Sequence, residues 1–429
     1  MKFEVEPQDA LIDEPVRIHL TEAPAATRVI LRAKLLSPYP PWSSQASFVA
    51  DAQGEVDATR DAPVAGDYDV VDGMGLFWSM TLDPETNRKL MSGEISPFLA
   101  SPIDPLRLRF EAKICDAPVA SIEVTRRFLA RGIVRTPVRE DGLVATLFHH
   151  NDRHRLAVIV LGGSGGGLDE AMAALVASRG YTTLALAYFA MDGLPADLYE
   201  IPLEYFGKAI EWLQRSGRAK EGKIAVIGGS RGGELALLLG ATFPQIRAVV
   251  GYVPSGVTWA GIGRDRSSQP RAAWTLRGKP IAFVPAPTNP DPALLSAISA
   301  GGGAQRITPW FLACLRDAES AERAEIAVER INGPVLLISG KDDQMWPSEK
   351  LADIAVTRMR RHGFQHPIEH VSYEGAGHAI RFPYTPAMLE IVHPITKSAL
   401  AFGGSLRANA IAQEDSWRKL LQFLGEHLT

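Results

Sequence analysis

The sequence predicts an α/β protein in two parts: an immunoglobulin-like β-sandwich over residues 1–130, then a mostly parallel sheet with helices on both faces over 131–429. Two patterns lead there. The first portion holds short stretches that alternate apolar and polar residues between turn clusters, such as Val16-Arg17-Ile18-His19-Leu20 and Leu106-Arg107-Leu108-Arg109-Phe110. Alternation of period two marks strands with one buried face, as in a sandwich. Beyond residue 155 the strands become continuous apolar runs separated by helical patterns, the mark of a parallel sheet covered on both sides.

Taken in order, strands are expected over 156–161, 182–187, 224–227 and 248–253, with helices over 168–179, 202–215 and from 231. Residues 255–325 break the rhythm with five prolines between Pro280 and Pro292, Gly301-Gly302-Gly303 and a short helix near 310–316. An insertion of this length between sheet strands is expected to form a cap or substrate-facing lid. Strands over 335–338 and 368–371 then complete the sheet. Within the sandwich, the aromatic run Met74–Met80 reads as core rather than substrate contact.

Composition narrows the function classes. The 429 residues carry 45 Lys and Arg against 49 Asp and Glu, a net charge of −4, which does not favour a nucleic-acid binder. Cys115 and Cys314 stand apart with no C-x-x-C spacing, so neither a disulfide framework nor a metal site is expected. No apolar run suits a membrane span and no leader is apparent, so a cytoplasmic enzyme without a cofactor is expected.

The chemistry concentrates at Ile227-Gly228-Gly229-Ser230-Arg231-Gly232, between a β-branched run and a helical pattern. This is the G-x-S-x-G nucleophile elbow of the α/β-hydrolase fold, where a serine is exposed at a sharp strand-to-helix turn. Gly228 and Gly232 must lack side chains for strand and helix to approach. A serine nucleophile needs a base, and the base a carboxylate, in the chain order Ser, acid, His. After a late strand, Gly340-Lys341-Asp342-Asp343-Gln344-Met345-Trp346-Pro347 offers two acids. The usual register, Gly-x-x-Asp-x-x-apolar-Pro, selects Asp343 and leaves Asp342 to cap the turn. Of ten histidines, His378 sits in a glycine-rich loop one strand–helix–strand unit later, where the base belongs.

Oxyanion donors are expected from the N–H of Arg231 and from Gly163, Ser164 and Gly165, in the loop after the strand at 156–161. The rival reading of that loop, a dinucleotide fingerprint, fails because Leu168 stands where Gly or Ala is wanted.

With Trp42–Phe48, Asp72–Met80 and Ile201–Phe206, these motifs resemble the acyl-CoA thioesterase and bile-acid-CoA:amino-acid N-acyltransferase family over nearly the whole chain. The resemblance implies a sandwich packed on an α/β-hydrolase domain, the Ser230–His378–Asp343 triad, and an acyl-CoA substrate. The family's transferases carry cysteine at the nucleophile, so Ser230 implies water as acceptor. A carboxylester or dienelactone-type hydrolase, an N-acyltransferase, and a binding or dimerisation module with a vestigial hydrolase are the alternatives. Arg264, Arg266 and Arg271, or Arg358, Arg360 and Arg361, are the candidate contacts for coenzyme A phosphates.

Overall fold

The alternation in the first portion closes two sheets on one another. The computed structural model describes residues 1–428 apart from 38–39, 96–102, 116, 151–154, 265–269, 288–289 and 300–302. A three-stranded sheet holds Lys2–Glu6, Arg17–Thr21 and Val56–Asp57. A six-stranded sheet orders Asp9–Leu11, Ala117–Arg127, Leu106–Ile114, Arg28–Leu35, Ser43–Val49 and Ala65–Gly66. Pairing is antiparallel except between Asp9–Leu11 and Ala117–Arg127. Period two decides which side chains go in: Val29, Leu31 and Ala33 are fully buried while Arg28 and Arg32 face out. Met74, Leu76, Phe77, Trp78 and Met80 join Val29 and Leu31 in one core, so the aromatic run fills the sandwich.

The central sheet has eight strands, numbered here within it: β1 (Ile133–Val138), β2 (Val144–His150), β3 (Arg155–Leu161), β4 (Thr182–Ala187), β5 (Ala219–Gly229), β6 (Ile246–Tyr252), β7 (Val335–Gly340) and β8 (Ile368–Tyr373). They lie in the order β1-β2-β4-β3-β5-β6-β7-β8. The pairs β1–β2 and β2–β4 are antiparallel and the rest parallel. The carboxyl ends of β3, β5, β7 and β8 therefore share one edge, the edge where open parallel sheets hold their ligands.

Eight helices of this half are α1 (Glu170–Ser178), α2 (Glu204–Arg215), α3 (Arg231–Thr242), α4 (Pro292–Ser299), α5 (Thr308–Cys314), α6 (Ala318–Arg323), α7 (Ser348–Arg361) and α8 (Leu406–His427). Alternate residues of β3 feed different cores. Val158 and Val160 pack with α1, α8 and the sandwich, whereas Ala157, Ile159 and Leu161 pack with α2, α3 and α7. One face of the sheet is thus continuous with the N-terminal core. Asp13 holds that junction: it accepts from Arg179 Nε at 2.7 Å, just past α1, and from Trp417 Nε1 on α8 at 2.9 Å.

The described residues of 255–325 are packed. Trp259, Val284 and Cys314 form a third small core with Trp346 and Leu351. A short sheet of Ile201–Pro202, Trp274–Leu276 and Lys279–Pro280 anchors it to the chain ahead of α2. Among the described residues, no helix is long and apolar enough to cross a membrane.

Candidate active site

The strand-to-helix corner between β5 and α3 tolerates only glycine at its flanks. A Cβ on Gly228 would lie 2.0 Å from the carbonyl oxygen of Gly232, and one on Gly232 would lie 2.5 Å from that of Gly162. Ser230, at the apex, adopts φ 56° and ψ −121°, a region that L-residues rarely enter and that the surrounding packing must enforce. Its N–H donates to Tyr252 O at 2.8 Å, and its carbonyl accepts from Gly233 and Glu234 as α3 begins.

Asp343 and His378, the expected acid and base, meet each other. His378 Nδ1 and Asp343 Oδ2 are 2.8 Å apart, both residues being buried. The other carboxylate oxygen, Oδ1, accepts the N–H groups of Met345 at 2.9 Å and Trp346 at 3.2 Å. Asp342 is exposed, and its side chain makes no bond to His378 among the described residues. The imidazole lies between the edge of Trp346, at 5.9 Å, and the face of Phe402, at 5.7 Å. Trp346 Nε1 in turn donates to Val253 O, one residue beyond the carbonyl that holds Ser230. The Ser230 corner and Trp346, which flanks His378, are therefore hung from consecutive residues at the end of β6. Among the described residues, Ser230 Oγ makes no hydrogen bond to His378.

Two sources of backbone N–H face the corner. Arg231 is the first residue of α3 and has no intrahelical acceptor for its amide. Gly163, after β3, is the nearer part of the second: a Cβ there would sit 3.5 Å from Ser230 Cβ. The amides of Gly166 and Gly167 bond Gly163 O and Phe189 O, whereas those of Gly163, Ser164 and Gly165 bond no carbonyl among the described residues.

Two features escaped sequence reasoning. The Arg231 side chain runs inward, donating to Glu234 Oε2 at 2.7 Å and to Trp259 O at 3.1 Å, while Trp274 Nε1 donates to Glu234 Oε1 at 2.7 Å. Residues of the 255–325 insertion thereby brace the elbow from behind. Burial pushes the Glu234 carboxyl up to about 7 despite the adjoining guanidinium. The second feature is His393, whose Nε2 lies 2.9 Å from Ser164 Oγ. Arg231 and Glu234 are three residues apart on α3, but no local spacing signals the contacts to Trp259, Trp274 or Ser164, whose partners are far apart in the chain.

A second serine–histidine–aspartate array occurs on β7, β8 and α7. Ser339 Oγ is 2.8 Å from His370 Nε2, and His370 Nδ1 is 3.0 Å from Asp353. Ser339 is fully buried in a regular strand, which leaves no path for a substrate. Of the arginines considered for phosphates, Arg358 and Arg361 pair with Glu325 and Glu329. They lie at the far end of the 14-residue α7, about 20 Å along its axis from the acid loop. Arg271 pairs with Glu200 and lies over Tyr199, and Arg266 falls outside the described residues. No group of three or more His, Cys, Asp or Glu among the described residues is placed to hold a metal.

Strand order, elbow and helices on both faces define an α/β hydrolase preceded by an antiparallel sheet domain. Residues 201–429 match the family described as BAAT / Acyl-CoA thioester hydrolase C terminal, and residues 13–140 match the Acyl-CoA thioester hydrolase/BAAT N-terminal region. The chain belongs to this acyl-CoA thioesterase and acyltransferase family. It is 31% identical to the bile acid-CoA:amino acid N-acyltransferase of Mus musculus over 100% of this chain and 98% of that protein. It is 30% identical to the peroxisomal succinyl-coenzyme A thioesterase of Mus musculus, covering 97% and 94% respectively. A puromycin-hydrolyzing peptidase of Mycobacterium tuberculosis superposes with a TM-score of 0.45 at 15% identity, over 97% of this chain and 66% of that one.

Proposed function

We propose that the chain hydrolyses acyl-CoA thioesters to the free acid and coenzyme A through an acyl-enzyme on Ser230. The observation that supports this reading above all is the His378–Asp343 pair at 2.8 Å beside an elbow occupied by serine. His378 Nε2 takes the proton of Ser230 Oγ as the oxygen attacks the thioester carbonyl. The developing oxyanion is held by the N–H of Arg231 and by the loop at Gly163–Gly165. The C–S bond breaks and His378 returns the proton to the departing thiolate. Water, deprotonated by the same imidazole, then attacks the acyl-serine; the Oγ–acyl bond breaks, the imidazole returns the proton to Ser230 Oγ, and the acid leaves. Asp343 holds Nδ1 protonated, which keeps Nε2 free to accept. The insertion over 255–325 supplies the cap: Thr308 Oγ1 on α5 donates to Asp343 O at 2.7 Å, and Phe311 lies 5.8 Å from Trp346, next to the base.

Serine at position 230 favours water over an amine as acceptor. The test is Ser230→Ala against a panel of acyl-CoA thioesters, with thiol release followed by colour and products identified by mass spectrometry in the presence and absence of glycine. The expected result is a loss of about a thousandfold or more in turnover and free acid as product from the parent protein. Turnover near the parent level removes Ser230 from the reaction, and acylglycine as the main product reassigns the chain to the transferases.

A further inference from the structure

The hydroxyl of Ser164 accepts a hydrogen bond from a buried histidine, which leaves its own proton to be donated elsewhere. His393 follows the short strand Glu390–Val392 and is buried at 6% exposure. Its Nδ1 accepts the backbone N–H groups of Thr396 at 3.1 Å and Ile395 at 3.3 Å. A nitrogen receiving amide protons carries none itself, so the ring proton of the neutral imidazole resides on Nε2. That proton points at Ser164 Oγ, 2.9 Å away. Burial, with Lys397 adding to it, holds His393 down to about 4, so the neutral tautomer persists through the working pH range.

Ser164 Oγ therefore accepts from His393, and its own O–H makes no hydrogen bond among the described residues. The loop that carries it is pressed into place. A Cβ on Gly165 would lie 2.9 Å from Pro394 Cγ, and Gly163 on the other side abuts Ser230. A hydroxyl in this position, with one lone pair engaged by His393 and its proton undirected by the protein, is complementary to the carbonyl oxygen that gains negative charge in an acyl-transfer site.

We propose that the Ser164 hydroxyl is a third hydrogen-bond donor to the thioester carbonyl oxygen in the transition state, and that His393 is the positioning residue that aims it. This rests on the reading of Ser230 as nucleophile. No atom is transferred to or from Ser164: its O–H bond remains intact, and the hydrogen bond shortens as charge develops on the carbonyl oxygen.

The experiment is a double-mutant cycle on the full chain with Ser164→Ala, His393→Leu and the pair, read as kcat and KM for an acyl-CoA thioester. Thermal melting and fluorophosphonate labelling of Ser230 are followed alongside. Ser164→Ala is expected to lower kcat about 10- to 100-fold with KM within about twofold, since the contact strengthens only in the transition state. His393→Leu is expected to show the same loss, and the double variant no further loss. His393→Gln keeps an N–H donor for Ser164 and is expected to recover part of kcat. A kcat within twofold of the parent for Ser164→Ala, or a change confined to KM, overturns the proposal. So does a further drop when His393→Leu is added to Ser164→Ala, because a histidine that only braces the loop is felt with or without the hydroxyl. If the nucleophile reading itself is wrong, Ser230→Ala retains turnover and the parent takes no fluorophosphonate adduct. That outcome is separate from the cycle.

Discussion

Replacing Asp343 by asparagine should silence the base without disturbing the fold, and the structure says which way the amide will turn. Oδ1 accepts two backbone N–H groups, from Met345 and Trp346, while Oδ2 faces a single N–H, that of His378 Nδ1. An asparagine has one oxygen for these three donors. Setting the oxygen toward the backbone satisfies two, and the NH₂ then faces Nδ1. The opposite setting drives an NH₂ against two amides that have no other acceptor, at about 1–3 kcal/mol for each buried donor left unpaired. The first setting wins. Nδ1 becomes an acceptor, the ring proton moves to Nε2, and Nε2 can no longer take a proton from Ser230. With the carboxylate gone as well, the imidazolium that forms during attack loses its counter-charge. Together these should lower kcat/KM by about 10³ to 10⁴, or roughly 4–5.5 kcal/mol of transition-state stabilisation. Because the acceptor for both backbone N–H groups survives, the melting temperature should shift by no more than about 3 °C, the scale of a change near 1 kcal/mol. Thiol release from an acyl-CoA thioester, with a thermal melt on the same sample, measures both quantities. Asp342→Asn is the control and should keep at least half of the parent rate, since its exposed side chain does not reach the imidazole. An Asp343→Asn protein with more than a tenth of parental kcat/KM, or a control that falls equally, would refute the tautomer reasoning.

Three further outcomes are expected. Ser339→Ala removes one end of the second serine–histidine–aspartate array. It should cost about 1 kcal/mol in denaturant unfolding while thioester turnover stays within twofold; a hundredfold loss of turnover would make that array the working one. Glu234 has a folded-state value raised from 4.5 to about 7, so the native state holds a proton that the unfolded chain releases. The stability from this group is complete below pH 4.5 and is lost as pH rises through about 7. Glu234→Gln should therefore gain thermal stability relative to the parent across that window, and melting curves that stay parallel with pH exclude the burial argument. Asp13→Ala leaves the Trp417 indole N–H without its acceptor at the junction of sandwich and sheet and leaves Arg179 with the more distant Glu14 at 3.5 Å, and should cost about 2–4 kcal/mol in urea unfolding. A loss under 0.5 kcal/mol would show that apolar packing alone holds the junction.

What could be read from the sequence was what local physics dictates. Gly228 and Gly232 betray the elbow because a sharp corner excludes Cβ atoms whatever surrounds it. Val158–Leu161 betrays a central strand because both its faces are buried. Asp343 and His378 were legible by chain order and loop chemistry, although their contact spans 35 residues. Strands β1 and β2 were not recognised as part of the main sheet; Arg135, Thr136 and Pro137 break the apolar run of β1, which sits at the sheet edge. The pairing of His393 with Ser164 spans 229 residues and that of Trp417 with Asp13 spans 404. Such contacts are products of tertiary packing, and a single histidine beside a proline carries no sign of its partner. The inward turn of Arg231 is a similar case: beside an elbow serine an arginine reads as solvent-facing, yet Glu234 and the insertion draw it into the core.

Helix α8 has a temporal consequence. Asn409, in its first turns, supplies the acceptor for Gly377 N–H at 2.7 Å, and Gln413 donates to Ala379 O at 2.9 Å, so the loop bearing His378 is clasped on both sides by a helix made after it. Two turns on from Asn409, Trp417 of the same helix reaches Asp13, ahead of the sandwich strand at Arg17–Thr21. A nascent chain still lacking α8 has neither clasp nor latch, and its imidazole loop remains unfixed. The fixing of the His378 loop and the joining of the two halves therefore arrive together, and only once α8 is in place.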